Sequence, residues 1–245
     1  MMAHGDHVFI GWDVGGWNCD KNPNSRDALV VLDAAGTRIG QPWRGNLRQT
    51  INAATSAADF LGAILALCKL PAGPAKATLA IDAPLGFPAA FVALITGGAA
   101  QPEIGKSATN PYLYRLTERR LVDEGITALS AVKDMIGSQS TKAMHVVAHF
   151  TKAVAPGVWS DGAGLTIIET YPALCRKRSS GSFNDLASAT TSKEGDILDA
   201  EVCAHIAHAF ALRRDWLEVP TPDAPVSEGW IWAPLSQGLS KEVGP

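Results

Sequence analysis

Acidic side chains stand near the ends of three stretches that are typical of buried strands. Asp13 closes the apolar run HVFIGWD, Asp82 closes ATLAID, and Glu169 falls near the end of LTIIET. Ligands of open α/β sheets bind beyond the carboxyl ends of strands, so these positions predict the rim of one site. Asp196 and Asp199 lie three residues apart at the start of a long helical pattern and add two acids on one helix face.

Four or five convergent carboxylates repel one another strongly unless a cation neutralises them. An all-oxygen ligand set selects hard divalent ions, which predicts Mg²⁺ or Mn²⁺, and two such ions can activate a water and stabilise the leaving oxygen of a phosphodiester. Simpler roles stay open for two of the acids. Asp82, which precedes Ala83 and Pro84, could bond turn amides, and Asp196 could serve the helix N-terminus alone.

Local cations would be needed to hold a phosphate, because the chain has 21 Lys and Arg against 24 Asp and Glu and a formal charge of −3. That balance excludes a protein held to nucleic acid by bulk charge. Arg115 and Arg119 are four residues apart on one predicted helical face and could clamp phosphates, and Arg176 and Lys177 follow the Glu169 motif. The alternative for Arg115 and Arg119 is a solvated helix face paired with Glu118 or Asp123, and the alternative for Arg176 and Lys177 is an ordinary surface position.

One α/β domain spanning residues 1–245 is the simplest arrangement that positions these groups, since the chain has no internal repeat and no interior linker. We predict five strands at 7–14, 28–33, 37–44, 77–83 and 165–170, and helices at 49–70, 112–124, 141–154 and 194–216. We expect residues 97–110, which show no periodicity, to form a mobile insertion. We expect the proline-rich tail from about 219 to be an irregular surface segment with a short strand at 229–232.

The N-terminus has no signal-peptide pattern, and no stretch reaches the roughly 18 apolar residues of a membrane span. The four cysteines form no CxxC pair, which favours reduced thiols over a zinc or dithiol site. These features predict a cytoplasmic protein with no membrane partner. The oligomeric state stays open, a dimer included.

The order of elements, together with the acidic positions, resembles the ribonuclease H-like superfamily, and the closing acids are similar to those of RuvC-type Holliday-junction resolvases. Several short motifs more closely resemble the domain-of-unknown-function family 429, whose members are described as predicted nucleases: GWD at 11–13, IDAPLG at 81–86, the arginines of 115–120, ETYP at 169–172, DA at 199–200 and EGW at 228–230. The resemblance covers about residues 10–232.

The resemblance implies a ribonuclease H-like mixed five-stranded sheet, with three antiparallel strands followed by parallel strands, flanking helices and inserted loops. It also implies that Asp13 bridges two divalent ions and that Asp82, Glu169 and Asp199, with or without Asp196, complete the ligands. Glu169 departs from the superfamily's usual fourth-strand acid. A metal-dependent nuclease acting on nucleic acid or a nucleotide is therefore the leading hypothesis. An actin-like ATP-dependent phosphotransferase, suggested by the DVGG loop at 13–16, and a non-catalytic binding scaffold are the alternatives.

Overall fold

The computed structural model describes residues 7–22, 24–71, 73, 76–122, 124–178 and 195–236. Within these ranges the strands are β1 (His7–Asp13), β2 (Asp27–Leu32), β3 (Arg38–Gly45), β4 (Lys76–Asp82), β5 (Lys152–Ala155), β6 (Val158–Ser160), β7 (Leu165–Thr170) and β8 (Ile231–Trp232). The α-helices of the same ranges are α1 (Arg48–Ala53), α2 (Ala57–Leu67), α3 (Ala89–Gly97), α4 (Leu116–Val122), α5 (Gly137–Phe150), α6 (Pro172–Arg178) and α7 (Gly195–Leu212).

The strands form one mixed sheet in the order β3-β2-β1-β4-β7-β6-β5, and β8 pairs with β7. β2 is antiparallel to both β1 and β3, whereas β4 is parallel to both β1 and β7. The expected α/β fold with antiparallel strands followed by parallel ones is confirmed. The expectation of five strands is wrong, because β5, β6 and β8 extend the sheet. β5 has four residues, all exposed, and β6 has three. Neither strand therefore contains an apolar run long enough to indicate a strand from the sequence.

Both faces of the central strands are buried, which is why β1, β4 and β7 are nearly continuous apolar runs. Alternate residues of each strand point to opposite faces and feed two separate cores. The core beside α2 and α5 includes Ile10, Leu79, Ile167, Phe60 and Val146. The core beside α7 includes Phe9, Ala80, Ile168, Ala204 and Phe210.

Helix α7 packs directly on β1 because both elements present small residues at the contact. A Cβ on Gly11 would lie 1.8 Å from the carbonyl oxygen of Ala200 and 2.4 Å from the amide nitrogen of Ala204. No larger side chain therefore fits at Gly11 without moving the helix. This close approach brings the first turn of α7, with its two acids, to the carboxyl end of β1.

Several element boundaries differ from the sequence-based expectations. The helix expected at 49–70 is divided into α1 and α2, because Ser56 accepts a hydrogen bond from the amide of Asp59 and caps a new helix there. The expected final helix ends at Leu212 and is followed by the 3-10 turn Arg214–Trp216. The helix expected at 112–124 is observed only as the shorter α4. The helix expected at 141–154 is observed as α5, which begins at Gly137 and ends at Phe150, so the expectation of helix at 152–154 is wrong because these residues belong to β5.

The segment 97–110 contains one short 3-10 turn, Ser107–Thr109, and its expected mobility stays a prediction. In the tail, the strand expected at 229–232 is observed as β8. All four cysteines are buried and free of disulfides, as expected. None of the helices in the described ranges has the length and apolar character needed to cross a membrane.

Candidate functional site

Asp13 and Asp82 lie side by side at the carboxyl ends of two neighbouring parallel strands. They are register partners in the β1–β4 ladder. Asp13 shares its strand face with Phe9, and Asp82 shares its face with Ala80, so both carboxylates point to the α7 side of the sheet. The two acids that the sequence placed on separate strands are thus brought together.

Asp199, on the first turns of α7, is the third member of this acidic cluster. Its carboxylate raises the pKa of both Asp13 and Asp82, which places it close to the two strand ends. Asp199 itself is held by Arg176 of α6, whose Nη1 lies 2.5 Å from Asp199 Oδ1. We use the name acidic cluster below for Asp13, Asp82 and Asp199.

The electrostatics of the two strand acids are strongly unfavourable to ionisation. Burial raises the pKa of Asp13 well above its usual range, and the charges of Asp82 and Asp199 raise it further. The pKa of Asp82 rises to about 8, first through burial and then through Asp199, while Arg176 opposes the shift. Neither carboxylate has a hydrogen bond or ion pair to any part of the chain that the structure describes. Their repulsion is of the kind that a bound cation would relieve.

A pocket of about 180 Å³ opens at this edge of the sheet, between the ends of β1, β4 and β7. Asp13 and Asp82 lie in its wall beside the polar side chains of Ser25, Gln139 and Tyr171. At about 30 Å³ for each water molecule, the volume has room for about six waters, or for a hydrated ion with a small anionic group. It is smaller than a typical site for a drug-sized ligand.

Glu169 lies in the same pocket wall but is engaged by other groups. Its register partner in β4 is Ile81, so it falls one residue short of Asp82 and points to the opposite face of the sheet. Arg115 binds both of its oxygens, Nη2 at 2.5 Å and Nη1 at 2.7 Å, and the amide of Leu85 donates to it at 2.9 Å. The structure therefore brings Glu169 near the acidic cluster without joining it to that cluster.

Arg115 is almost completely buried, and all five of its N–H donors have acceptors in the protein. Besides Glu169, Nε and Nη2 bind Glu118 Oε1 at 2.9 and 2.8 Å, and Nη1 donates to the carbonyl of Glu228 at 2.9 Å. No donor of Arg115 is left for a phosphate in this arrangement. The expected clamp of Arg115 with Arg119 does not form, since Arg115 precedes α4 and turns inward.

The remaining predicted cations lie in different surroundings. Arg119 is partly buried, and its Nε has no hydrogen-bond partner among the described residues. Lys177 is exposed and reaches the carbonyl of Gly125 at 3.5 Å. Of the four expected phosphate-binding residues, Arg176 is the one that contacts the acidic cluster.

Asp196 adds to the charges that raise the pKa of Asp13, but its own carboxylate is engaged by two groups of the neighbouring strands. Arg44 binds its Oδ2 through Nε at 2.7 Å and Nη2 at 2.6 Å, and the amide of Arg26 donates to the same oxygen at 3.0 Å. These contacts join the N-terminus of α7 to β3 and to the segment before β2. Asp196 therefore links α7 to the sheet.

A buried ion pair that the sequence interpretation missed lies under the turn after Asp13. Asp27 and Lys142 are both fully buried and bind each other. Asp27 accepts hydrogen bonds from the indole of Trp12 at 3.0 Å and the amide of Gly15 at 2.9 Å, and Lys142 donates to the carbonyl of Gly15 at 3.3 Å. The pair thus holds the turn that follows Asp13. A lysine at a position four residues before the buried Val146 is the signal that could have revealed it.

No three His, Cys, Asp or Glu side chains within the described ranges are already arranged as a metal-binding group. Comparison with protein-family models, with curated proteins and with solved structures finds no match for this chain. The resemblance described above therefore depends on the quoted motifs alone.

Proposed function

We propose that this chain is a metal-dependent phosphodiester hydrolase, a nuclease of the ribonuclease H-like kind. The observation that carries the proposal is the pair Asp13 and Asp82. They are adjacent, unpaired within the described residues and open to a pocket, and burial and neighbouring acids raise their pKa values. The path from β3 to β7, with antiparallel strands followed by parallel ones, supports the ribonuclease H-like assignment. The proposal gives the protein a nucleic-acid or nucleotide substrate. It places the activity in the reducing cytoplasm, which agrees with four free thiols.

The chemistry of the acidic cluster fits a hard divalent ion. Its donors are carboxylate oxygens, the type that Mg²⁺ and Mn²⁺ prefer, and no thiolate or imidazole is among them. Asp13 and Asp82 would hold such ions, and Asp199 would join them once its bond to Arg176 is exchanged. When bound, one or two ions supply Lewis-acid stabilisation and an activated water.

The neighbouring residues keep the two strand acids in place. Glu169 fixes the backbone after β4 through the amide of Leu85, and Arg115 fixes Glu169 in turn. Asp27 and Lys142 fix the turn after β1 in the same way. In this proposal Glu169 positions Asp82 and does not bind the ion directly. Arg176 is the cation that the chain offers to a phosphate oxygen when Asp199 turns toward the ion.

The test is Mn²⁺- and Mg²⁺-dependent cleavage of single-stranded and duplex DNA and RNA, with bis(4-nitrophenyl) phosphate as a small diester. We expect Asp13→Asn and Asp82→Asn each to lower the metal-dependent rate at least about 100-fold, because each removes a proposed ligand. The matched control is Asp223→Asn, which changes an exposed aspartate in the tail. Unchanged cleavage by a folded Asp13→Asn protein would overturn the proposed site.

Calorimetry separates the other two functions. Micromolar binding of Mg-ATP without diester cleavage would favour an actin-like phosphotransferase. Absence of any Mn²⁺ binding to the wild-type chain would favour a non-catalytic scaffold.

A further inference from the structure

An aromatic row begins with Trp17, in the segment that follows β1 and four residues after Asp13. The amide of Trp17 donates to Ser138 Oγ at 2.9 Å, and its indole Nε1 donates to Thr141 Oγ1 at 3.1 Å. Both partners lie on the first turns of α5. Gln139, on the same helix turn as Ser138, lines the pocket together with Asp13, so the row starts on a part of α5 that also contributes to the pocket wall.

Two histidines continue the row along α5. The ring of Trp17 meets that of His145 edge to face at 5.7 Å, and the rings of His145 and His149 are parallel, with centroids 5.7 Å apart. The imidazole of His149 is steadied by the buried Phe150, at 4.7 Å. From Thr141 to His149 the helix rises about 12 Å, so the row leads away from the pocket over that distance.

The rings of this row face solvent, unlike most large aromatic groups of the chain. Trp12, Trp230 and Trp232 are buried in the cores, the usual position for tryptophan. Trp17 is half-buried, and both histidines are exposed. The row thus presents aromatic surface that is not packed into either core.

Cations flank the indole at the start of the row. Lys142 Nζ lies 6.0 Å from the ring centroid, but its charge is buried and balanced by Asp27. Arg48 donates to the carbonyl of Trp17 at 3.4 Å and to Asn18 Oδ1 at 3.0 Å. Arg48 also lies 3.9 Å from the carboxylate of Asp20, so its charge is partly balanced. Aromatic rings beside positive charge are the combination that binds the bases and phosphates of an unpaired strand.

We propose that Trp17, His145 and His149 form a stacking surface for bases of single-stranded nucleic acid whose scissile phosphate enters the pocket. The proposal deepens the proposed function and rests on it. Bases of a duplex are already stacked on one another, so the row selects an unpaired strand. Every base has a π-face, so we expect little sequence preference.

Binding is measured by fluorescence anisotropy of a labelled twelve-nucleotide oligo-dT in EDTA, so that cleavage does not interfere. We expect Trp17→Ala and the double variant His145→Ala/His149→Ala each to raise the dissociation constant about tenfold or more. The histidine variant changes two exposed helix positions, so it tests the surface even if Trp17→Ala disturbs the turn. The matched control is Trp216→Ala, which changes a half-buried indole beyond the far end of α7 and should bind as wild type.

A second readout compares oligonucleotide with bis(4-nitrophenyl) phosphate, which is too small to reach the row. The ratio of the two kcat/KM values should fall about tenfold in the row variants and stay constant in Trp216→Ala. Wild-type affinity in both row variants would overturn the stacking surface, whatever the fate of the proposed hydrolysis. The converse outcome is a wild-type protein that cleaves neither substrate, together with row variants that still lose oligonucleotide binding. That result would refute the hydrolase and support the stacking surface.

Discussion

Two kinds of acid lie within one edge of this sheet. Burial raises the pKa of Asp27 as well as those of Asp13 and Asp82, so the difference lies in their partners. Glu169 and Asp27 are buried beside Arg115 and Lys142 and accept further bonds from backbone amides. Asp13 and Asp82 have no such partners among the described residues, and burial and the charges of neighbouring acids raise their pKa values.

A carboxylate with a built-in cation is committed to the fold, because breaking the pair leaves a buried charge. A carboxylate without one keeps its oxygens available to a ligand. The contrast therefore separates positioning acids from proposed ligand acids more sharply than their places in the sequence do.

The largest effect is expected from removing the cation of a committed acid. Arg115→Met leaves Glu169 and Glu118 buried without their partner, so we expect the free energy of unfolding to fall by about 3–5 kcal/mol in urea denaturation. Arg115→Lys keeps a charge but loses the two-pronged contact, and it should fall between wild type and Arg115→Met. The control is Arg213→Met at an exposed position, which should change little. Equal stability of all three variants would show that Glu169 is not committed to the fold.

Replacing an acid that has no cation partner is expected to change stability in the opposite direction, that is, to raise it. The folded chain holds the Asp82 proton up to a pH of about 8, whereas the unfolded chain releases it near pH 4. The metal-free wild type therefore loses stability as pH rises from about 4 to 8, and Asp82→Asn escapes that loss. We expect Asp82→Asn to raise Tm at pH 8 by about 2–4 °C for each kcal/mol relieved, with little gain at pH 4.

The matched contrast for this pH series is Asp161→Asn. Burial by itself would raise the pKa of Asp161, but hydrogen bonds from the amides of Ala163, Gly164 and Leu165 outweigh it and lower the pKa. Its stabilisation is present at neutral pH and lost as pH falls, so Asp161→Asn should lower Tm at pH 7. A Tm difference between Asp82→Asn and wild type that does not vary between pH 4 and pH 8 would contradict the assignment of Asp82 as an uncompensated acid.

The parts of this arrangement that depend on local pattern could be predicted from the sequence. β1, β4 and β7 are continuous apolar runs, and their bounds agree with expectation to within a residue. That Asp13 and Asp82 each lie at the end of a strand followed from the same runs. The exposed strand β5 has no such pattern, because a sheet edge in water needs no apolar side chains.

Pairing across the chain could not be predicted in this way. Glu169 has the same position relative to an apolar run as Asp82, but register sets it opposite Ile81 and beside Arg115, which is 54 residues away. Register offsets of one residue reverse the face of a side chain, and no local pattern records them. The role of Asp27 was hidden for the same reason, since its partner Lys142 is 115 residues away.

The smallest effect on stability is expected from replacing Arg176. The same replacement also tests the contrast between acids with and without a cation partner. The ion pair of Arg176 with Asp199 is partly exposed on both sides, with 38% and 30% of the side-chain surfaces accessible, so Arg176→Gln should change the free energy of unfolding by about 0–1 kcal/mol. The same change frees Asp199 and removes a positive charge that acts on Asp82. We therefore expect Mn²⁺ to bind a few times more tightly, as measured by calorimetry at pH 7.5.

A control for this exchange is Arg48→Gln, which removes a similarly exposed arginine paired with Asp20 outside the acidic cluster. It should leave Mn²⁺ affinity unchanged. Weaker Mn²⁺ binding by Arg176→Gln would mean that Arg176 orients Asp199 for the ion instead of competing with it, so Asp199 would belong with the committed acids. Tighter binding together with slower diester cleavage would keep Asp199 as a ligand and assign Arg176 to the phosphate.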